Sequence, residues 1–420
     1  MVRVEEEYEA KNKKQLRSCS YLRIDNRVWV VSSYGHDNAV FSLNMELQDI
    51  RLEYSVTVQK DGEVYAFIKG KGDFIYLFPL IADGIIGIDR ITGKQKYFNL
   101  KDKHDVTEPY SPQDVIEYEG NFYLVPGYLQ YPLLKFDGNA VKECSGWREQ
   151  LQEITGQTKG VISLQCTLVE DKLYLLLYGT GKVACTDMKT MEIKVYDLSL
   201  QSGKYERLEY HQGKFWIIPG GRGDILSFTF KDGIEGRYPI PETFECLKGQ
   251  TFTFSFHYES FIWFIPWAAS SILILNLDRG SFEILRLPEV MEGEPYLVNH
   301  PKVEAGFVDG HYLKLLAFGG NYHCLIDLRT KKFVQVIDSR IPDSLLLENN
   351  KAIFRNRNIW PHGRGTLADF VEEVEQINMI SQSEDSLSME NAVNAGCKGR
   401  DIWNCLKEKQ TVSDLNCTSR

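Results

Sequence analysis

Residues 260–266 read Ser-Phe-Ile-Trp-Phe-Ile-Pro, an apolar run of strand length that ends in proline. Close copies of this run occupy residues 73–79, 120–126 and 213–219, and the four prolines lie 47, 93 and 47 residues apart. A copy without the proline, at residues 171–177, divides the longer interval. A fixed period of about 47 residues predicts a protein built from structural repeats.

Two further copies, at residues 26–31 and 310–316, bring the number of repeats to seven. A strand-like segment precedes each copy, and a second apolar run that ends near Asp or Asn follows it, as in residues 272–276. A third segment then alternates apolar and polar residues, as in residues 282–287. Helical periodicity is nearly absent from residues 20–340, so the repeats are predicted to be all-β.

Four short strands in about 47 residues are typical of one blade of a β-propeller. We therefore predict a seven-bladed β-propeller of four-stranded blades over residues 17–340, in which the quoted run is the second strand of each blade. That strand is covered by neighbouring blades on both faces, which explains its continuous apolar character. Its aromatic residues at matching positions, Tyr76, Tyr123, Trp216 and Trp263, are predicted to be buried.

The sequence also resembles a known repeat family. Gly319-Gly320 follows an apolar strand and precedes Ile-Asp-Leu-Arg-Thr at residues 326–330, and Gly220-Gly221 repeats the glycine doublet. These features resemble kelch repeats, and the turn at residues 89–94 is equally similar to blade turns of other bacterial repeat propellers. The chain is similar to uncharacterised bacterial propeller proteins, a resemblance that implies the fold and leaves the activity open.

The two ends of the chain depart from the repeat pattern. Residues 1–16 form a polar N-terminal segment, and residues 341–365 form a connecting segment in which 351–356 reads as one more strand. Residues 366–410 are predicted to hold two short helices and a linker, followed by a tail at 411–420. The first helix runs from Thr366 to about residue 378. The second carries Trp403, either packed on the propeller or serving as an anchor for a partner.

Composition limits the functional classes. The 420 residues include 48 basic and 58 acidic side chains, which give a net charge of −10 and exclude a nucleic-acid binder that relies on bulk positive charge. We expect no secretory signal, no bilayer-spanning segment and no nucleic-acid partner. Nine irregularly spaced cysteines without a Cys-x-x-Cys pair predict reduced thiols and a cytoplasmic location. We also expect no metal site and no cofactor.

The long loops indicate where a ligand would bind. In a four-stranded blade, the loops between the second and third strands share one face with the crossovers between blades. These crossovers are long and varied here, so we expect the binding site on that long-loop face. The candidate binding residues follow the second strand of their blades; they are His36, Tyr128, Tyr131, Arg222, Trp267, Tyr322 and His323. Some of them are alternatively expected to pack against the crossovers.

Two functional interpretations remain open from the sequence. The first is a non-catalytic binding or scaffold propeller that recognises a protein or glycan through the long-loop face, with aromatic and Arg side chains as the contact residues. The alternative is an enzyme of the hydrolase, lyase or cyclase class with a site at the mouth of the central channel. Carboxylates or histidines that converge at the inner rim would favour the enzyme.

Overall fold

The computed structural model describes residues 16, 18–34, 37–60, 63–101, 109–200, 205–246, 251–267, 269–291, 303–317, 322–357 and 367–384. The chain divides into two compact units, Met1–Arg357 and Asn358–Arg420. The first unit holds seven antiparallel sheets, each made of four strands that are consecutive in the chain. The predicted all-β fold with seven four-stranded blades is therefore confirmed.

The first four blades occupy the N-terminal half of the chain. Blade 1 comprises β1 (Leu22–Ile24), β2 (Arg27–Tyr34), β3 (Asp37–Asn44) and β4 (Arg51–Ser55). Blade 2 comprises β5 (Val64–Lys71), β6 (Phe74–Ile81), β7 (Gly84–Asp89) and β8 (Gln95–Asn99). Blade 3 comprises β9 (Pro112–Tyr118), β10 (Asn121–Pro126), β11 (Leu134–Phe136) and β12 (Val141–Glu143). Blade 4 comprises β13 (Cys166–Val169), β14 (Lys172–Leu177), β15 (Lys182–Asp187) and β16 (Ile193–Asp197).

The remaining three blades follow in order. Blade 5 comprises β17 (Tyr205–His211), β18 (Lys214–Pro219), β19 (Asp224–Thr229) and β20 (Gly233–Pro239). Blade 6 comprises β21 (Phe252–Tyr258), β22 (Phe261–Pro266), β23 (Ser271–Asn276) and β24 (Ser281–Arg286). Blade 7 comprises β25 (Val303–Asp309), β26 (Tyr312–Ala317), β27 (Tyr322–Asp327) and β28 (Lys332–Asp338). At most of the seams, the first strands of neighbouring blades contact one another, which places them around the axis.

Burial follows strand position. The second and third strands are almost entirely buried, whereas outer strands such as β24 alternate between exposed and half-buried residues. The predicted core aromatics Tyr76, Tyr123, Trp216 and Trp263 are all buried, as expected. The hydrophobic clusters combine residues of adjacent blades, so the core is a set of seams between blades.

The sequence did not predict helix α1 (Trp147–Thr155), which lies in the crossover between blades 3 and 4. Trp147 and Leu151, one helical turn apart, are both buried in a cluster with residues of these blades. The indole Nε1 of Trp147 donates a hydrogen bond to Thr186 Oγ1 at 3.0 Å. Trp147, Leu151 and Ile154 turn inward with helical spacing, but a helix of nine residues is too short for this pattern to stand out in the sequence.

The ring closes without a strand shared between its first and last blades. The backbone N–H of Ser18 donates to the carbonyl of Ala317 in blade 7, at 3.0 Å. Helix α2 (Asp343–Arg357) then packs against β4 of blade 1, and its Leu346 joins a cluster with Leu43 of blade 1 and Leu316 of blade 7. We name this helix the clasp, because it links both ends of the ring.

The clasp corrects one prediction. Residues 351–356 form the last part of α2 and are not a strand. Pro342 precedes the helix, Asp343 lies in its first turn and Arg355 lies in its last turn, an arrangement of charge that suits the helix dipole. These signals outweigh the short apolar run that suggested a strand.

The second unit contains α3 (Leu367–Glu384), which matches the predicted C-terminal helix and extends six residues beyond its expected end. Thr366, the expected N-cap, lies outside the described residues. The helix predicted at 400–409, with Trp403, also lies outside them.

Candidate functional site

Backbone hydrogen bonds join the loops of the long-loop face to the crossovers. In blade 2, the N–H of Ala82 donates to Tyr110 O of the next crossover at 3.3 Å. In blade 3, Gly127 O accepts from the N–H of Ile162 at 2.9 Å. These bonds fix the loops and crossovers to one another, so side chains that project from them rest on a rigid surface.

Tyr128 is exposed on this surface, and so is Tyr178 on the adjacent blade, which sequence reasoning missed. Tyr128 forms a β-bridge with Val161 of the crossover to blade 4, and the N–H of Tyr178 in blade 4 donates to the carbonyl of Ile162 at 2.8 Å. Tyr128 is 42% exposed and Tyr178 is 47% exposed. One short piece of crossover thus positions two exposed tyrosines on adjacent blades.

Tyr178 had a sequence signal. It directly follows β14, at the position that Trp267 holds directly after β22. Trp267 is half-buried, and its N–H donates to the carbonyl of Thr251 at 2.9 Å. The signal was weak because β14 lacks the proline that four of the other copies carry.

Arg222 projects from the β18–β19 loop and holds the following crossover. Its guanidinium donates to the carbonyls of Pro241 at 3.2 Å, Glu242 at 3.2 Å and Phe244 at 3.0 Å. The residue is exposed overall, but these donors are engaged by backbone oxygens. Its first role is to position the crossover, which is the alternative that the sequence left open.

Tyr131 does not lie on the surface. It is buried, its hydroxyl donates to the carbonyl of Pro109 at 2.9 Å, and its ring packs edge-on against Tyr110 with 5.2 Å between centroids. The expectation of an exposed contact residue is wrong here, because the crossover into blade 3 covers the ring.

His323 is also buried, contrary to the expectation that it lines the binding face. Its Nδ1 accepts the backbone N–H of Ala317, the last residue of β26, at 2.9 Å. Burial lowers the pKa of His323 to about 4. Tyr322 beside it is half-buried opposite Asp338, and the candidate residue His36 lies outside the described residues.

Glycine permits one close approach on this face. A Cβ at Gly220 would lie 2.1 Å from the carboxyl carbon of Glu206, so no larger residue fits without displacing that side chain. Glu206 is half-buried, and burial raises the pKa of its carboxyl. Gly220 therefore has a packing role in the β18–β19 loop, whereas a Cβ at Gly221 would meet no atom within 4 Å.

A polar cluster that the sequence did not identify lies between the inner strands of blades 5 and 6. Glu209 and His211 project from β17, and Ser255 and His257 project from β21. The N–H of Ser255 donates to both carboxylate oxygens of Glu209 at 3.0 Å, and the Ser255 hydroxyl also contacts this carboxylate. We call these four residues the 5–6 cluster.

The histidines of the 5–6 cluster differ in their partners. His211 Nε2 lies 2.9 Å from Ser255 Oγ and 3.2 Å from Glu209 Oε2. His257 bonds the backbone of Glu259, and its Nε2 is buried without a partner in the described part of the chain. The Glu-x-His and Ser-x-His pairs at the ends of two successive inner strands were the available signal.

The geometry of the 5–6 cluster differs from a catalytic relay. In a Ser-His-acid relay, the nucleophile and the acid contact opposite nitrogens of the imidazole. Here Ser255 and Glu209 both contact Nε2 of His211. The arrangement instead ties the backbone of blade 6 to a carboxylate of blade 5, which makes it a brace between blades.

The described residues bear on two remaining expectations, which concern metal sites and bilayer-spanning helices. They contain no group of three or more His, Cys, Asp or Glu side chains placed to hold a metal ion. Among the helices in the described ranges, none combines the length and the apolar character needed to cross a bilayer.

The fold is that of a seven-bladed β-propeller. Among solved structures, the chain is similar to virginiamycin B lyase from Staphylococcus aureus, with 12% identity over 73% of this chain and 92% of that chain and a TM-score of 0.51. YCF48 bound to D1 peptide matches with 11% identity over 73% of this chain and 93% of that chain, at a TM-score of 0.50. At these identities the likeness shows the fold alone.

A streptogramin B lyase structure matches in the same way, with 13% identity over 73% of this chain and 92% of that chain and a TM-score of 0.51. No protein-family model matches the chain, and no curated protein matches it either. The kelch resemblance therefore stays a prediction.

Proposed function

We propose that this propeller is a non-catalytic binding scaffold that recognises a protein or a glycan through its long-loop face. The observation that carries the proposal is the pair of exposed tyrosines, Tyr128 and Tyr178, held on adjacent blades by one crossover. Rigid aromatic side chains lose little conformational entropy on binding and offer broad apolar area beside a polar hydroxyl. Trp267, on the same face, extends the aromatic surface to blade 6.

The role of Arg222 supports this proposal indirectly. By fixing the crossover through three carbonyls, it pre-organises the surface, and pre-organisation reduces the entropy lost on binding. The neighbour YCF48 was solved with a bound peptide, and we extend peptide recognition to this chain only as part of the proposal.

The alternative is an enzyme with its site at the channel mouth. The 5–6 cluster is the described group that best meets the criterion of converging histidines and a carboxylate. We favour the binding role because Ser255 and Glu209 share one nitrogen of His211, a geometry that does not activate a nucleophile through a relay.

Two further predictions belong to the proposal. We place the protein in the cytoplasm because its nine irregularly spaced cysteines include no Cys-x-x-Cys pair and the described cysteines are thiols. The helix around Trp403 is proposed to dock a partner, and it lies outside the described residues.

The experiment is to probe peptide and glycan arrays with the full chain. We compare the wild type with a Tyr128→Ala, Tyr178→Ala, Trp267→Ala triple variant and with Tyr210→Ala. Tyr210 is a control on the inner strand β17, 37% exposed and outside the long-loop face. We expect spots bound by the wild type and Tyr210→Ala that the triple variant loses. Equal binding by all three proteins would reject this face as the site.

A further inference from the structure

The innermost strands of adjacent blades are joined at several seams by a side chain that bonds a backbone group across the gap. At the seam between blades 1 and 2, the N–H of Ile68 donates to Ser20 Oγ at 3.1 Å. At the seam between blades 5 and 6, the N–H of Ser255 donates to the carboxylate of Glu209. The second seam differs because its brace is ionisable.

The ionisable brace contains one carboxylate and two imidazoles. Glu209 is almost fully buried, and its oxygens face Ser255 and His211. His257 lies two residues after Ser255 on β21 and so projects from the same face of the strand, and Ser255 Oγ lies 2.9 Å from His211 Nε2. If both rings carried a proton, two cations would share the single carboxylate of the cluster.

The surrounding charged groups are engaged elsewhere. On β18, Lys214 bonds Glu235 at 2.6 Å. At the end of β25, the next inner strand, Asp309 pairs with Lys314 at 2.8 Å. Glu259 lies in the turn after β21, and its backbone forms a hydrogen bond with His257. Strand β22 carries no charged residue. Among the described residues, Glu209 is therefore the carboxylate available to the two rings.

We propose that the seam between blades 5 and 6 is an acid-sensitive joint, in which a proton on His257 places a second cation beside His211 and loosens the brace to Ser255. The turns between the first and second strands of the two blades meet at the same place, where Gln212 Nε2 donates to the carbonyl of Glu259 at 3.4 Å. Loosening the brace frees the inner strands at that end of the channel.

The direction of the effect follows from linkage. Burial, and secondly the charge of His211, lower the pKa of His257 below the ordinary value for histidine, whereas the bond to Glu259 acts in the opposite sense. A base whose pKa is lower in the folded state costs stability as the pH falls below its unfolded pKa of about 6.5. The joint is therefore closed at neutral pH and weakens in mild acid.

The experiment is amide hydrogen exchange on the full chain at pH 7.5 and pH 5.0, with rates corrected for intrinsic exchange. The N–H of Ser255 reports the brace, and the N–H of Ile68 is the matched control at a seam closed by a hydroxyl. We expect the protection of Ser255 to fall about tenfold more than that of Ile68, which corresponds to about 1.4 kcal/mol.

The His257→Gln variant removes the proton and keeps a polar side chain. It is expected to abolish the extra loss of protection at pH 5.0, with circular dichroism as the check that it folds. A second variant, His211→Gln, removes the neighbouring charge and is expected to reduce the same loss. If Ser255 follows Ile68 in the wild type, or if the loss persists in His257→Gln, the proposal is overturned.

Discussion

Tyr128 and Tyr178 flank one strip of crossover on adjacent blades: Tyr128 bridges to Val161, and the N–H of Tyr178 bonds the carbonyl of Ile162. Neither tyrosine is needed to fill the core, since both are more than two-fifths exposed. Backbone hydrogen bonds thus fix two aromatic side chains that remain exposed to solvent, and such exposed aromatic residues are typical of binding surfaces.

The first prediction concerns the core. Trp263 is completely buried in the seam between blades 6 and 7, where its cluster includes Leu313 and Leu315. Trp263→Ala leaves a large cavity and should lower the free energy of unfolding by about 3–5 kcal/mol. Urea denaturation measures the loss. An unchanged unfolding midpoint would show that the indole is not part of the core.

The second prediction concerns the clasp. Leu346 on α2 is buried in the cluster that joins blades 7 and 1. Leu346→Ala should cost about 2–5 kcal/mol, the usual range for removing a buried leucine side chain. The control is Glu348→Ala, at an exposed position of the same helix, which should change stability little. Equal midpoints for the two variants in thermal melts would show that the clasp does not hold the ring closed.

The third prediction concerns Arg222. Lysine keeps the charge but cannot reach three carbonyls at once, because it lacks the planar fork of the guanidinium. Arg222→Lys should therefore cost about 1 kcal/mol and raise amide exchange in the crossover around Phe244. Arg237→Lys, at an exposed arginine of the same blade, is the control. Unaltered exchange near Phe244 in Arg222→Lys would contradict the positioning role.

The fourth prediction concerns pH. The pKa of His323 is about 4, so its ring should stay neutral from pH 8 to pH 5. Because the unfolded pKa is about 6.5, this residue makes the folded state progressively less stable as the pH falls from about 6.5 towards 4. An NMR titration of the imidazole resonances is the measurement. A midpoint near 6.5 for His323 would show that the ring is solvated.

Most of the fold could be predicted from the sequence because each blade repeats the same pattern of apolar and alternating strands. The proline that ends β10, β18 and β22 sets the register, and burial of Trp263 follows from that register alone. Helix α1 and the clasp could not be predicted as easily. Each occurs once, so no repeat supports it, and each is stabilised by contacts with distant strands.

The candidate site was predicted less completely. Topology correctly indicated which loops share a face with the crossovers. It does not indicate how deeply a side chain is buried, so Tyr131 and His323 were expected at the surface although both are buried. Tyr178 escaped notice because its strand lacks the proline. The 5–6 cluster forms because one face of β17 packs against one face of β21. The spacing of residues along the chain does not reveal which faces pack together.

The most direct test of the binding role is the affinity of the tyrosine variants for the peptide or glycan that the arrays identify. Isothermal titration calorimetry of Tyr128→Ala and Tyr178→Ala should each show a Kd at least about tenfold weaker, as for residues central to an interface. Tyr210→Ala should keep the wild-type Kd. Wild-type affinity in both tyrosine variants, with binding retained elsewhere on the molecule, would contradict the account.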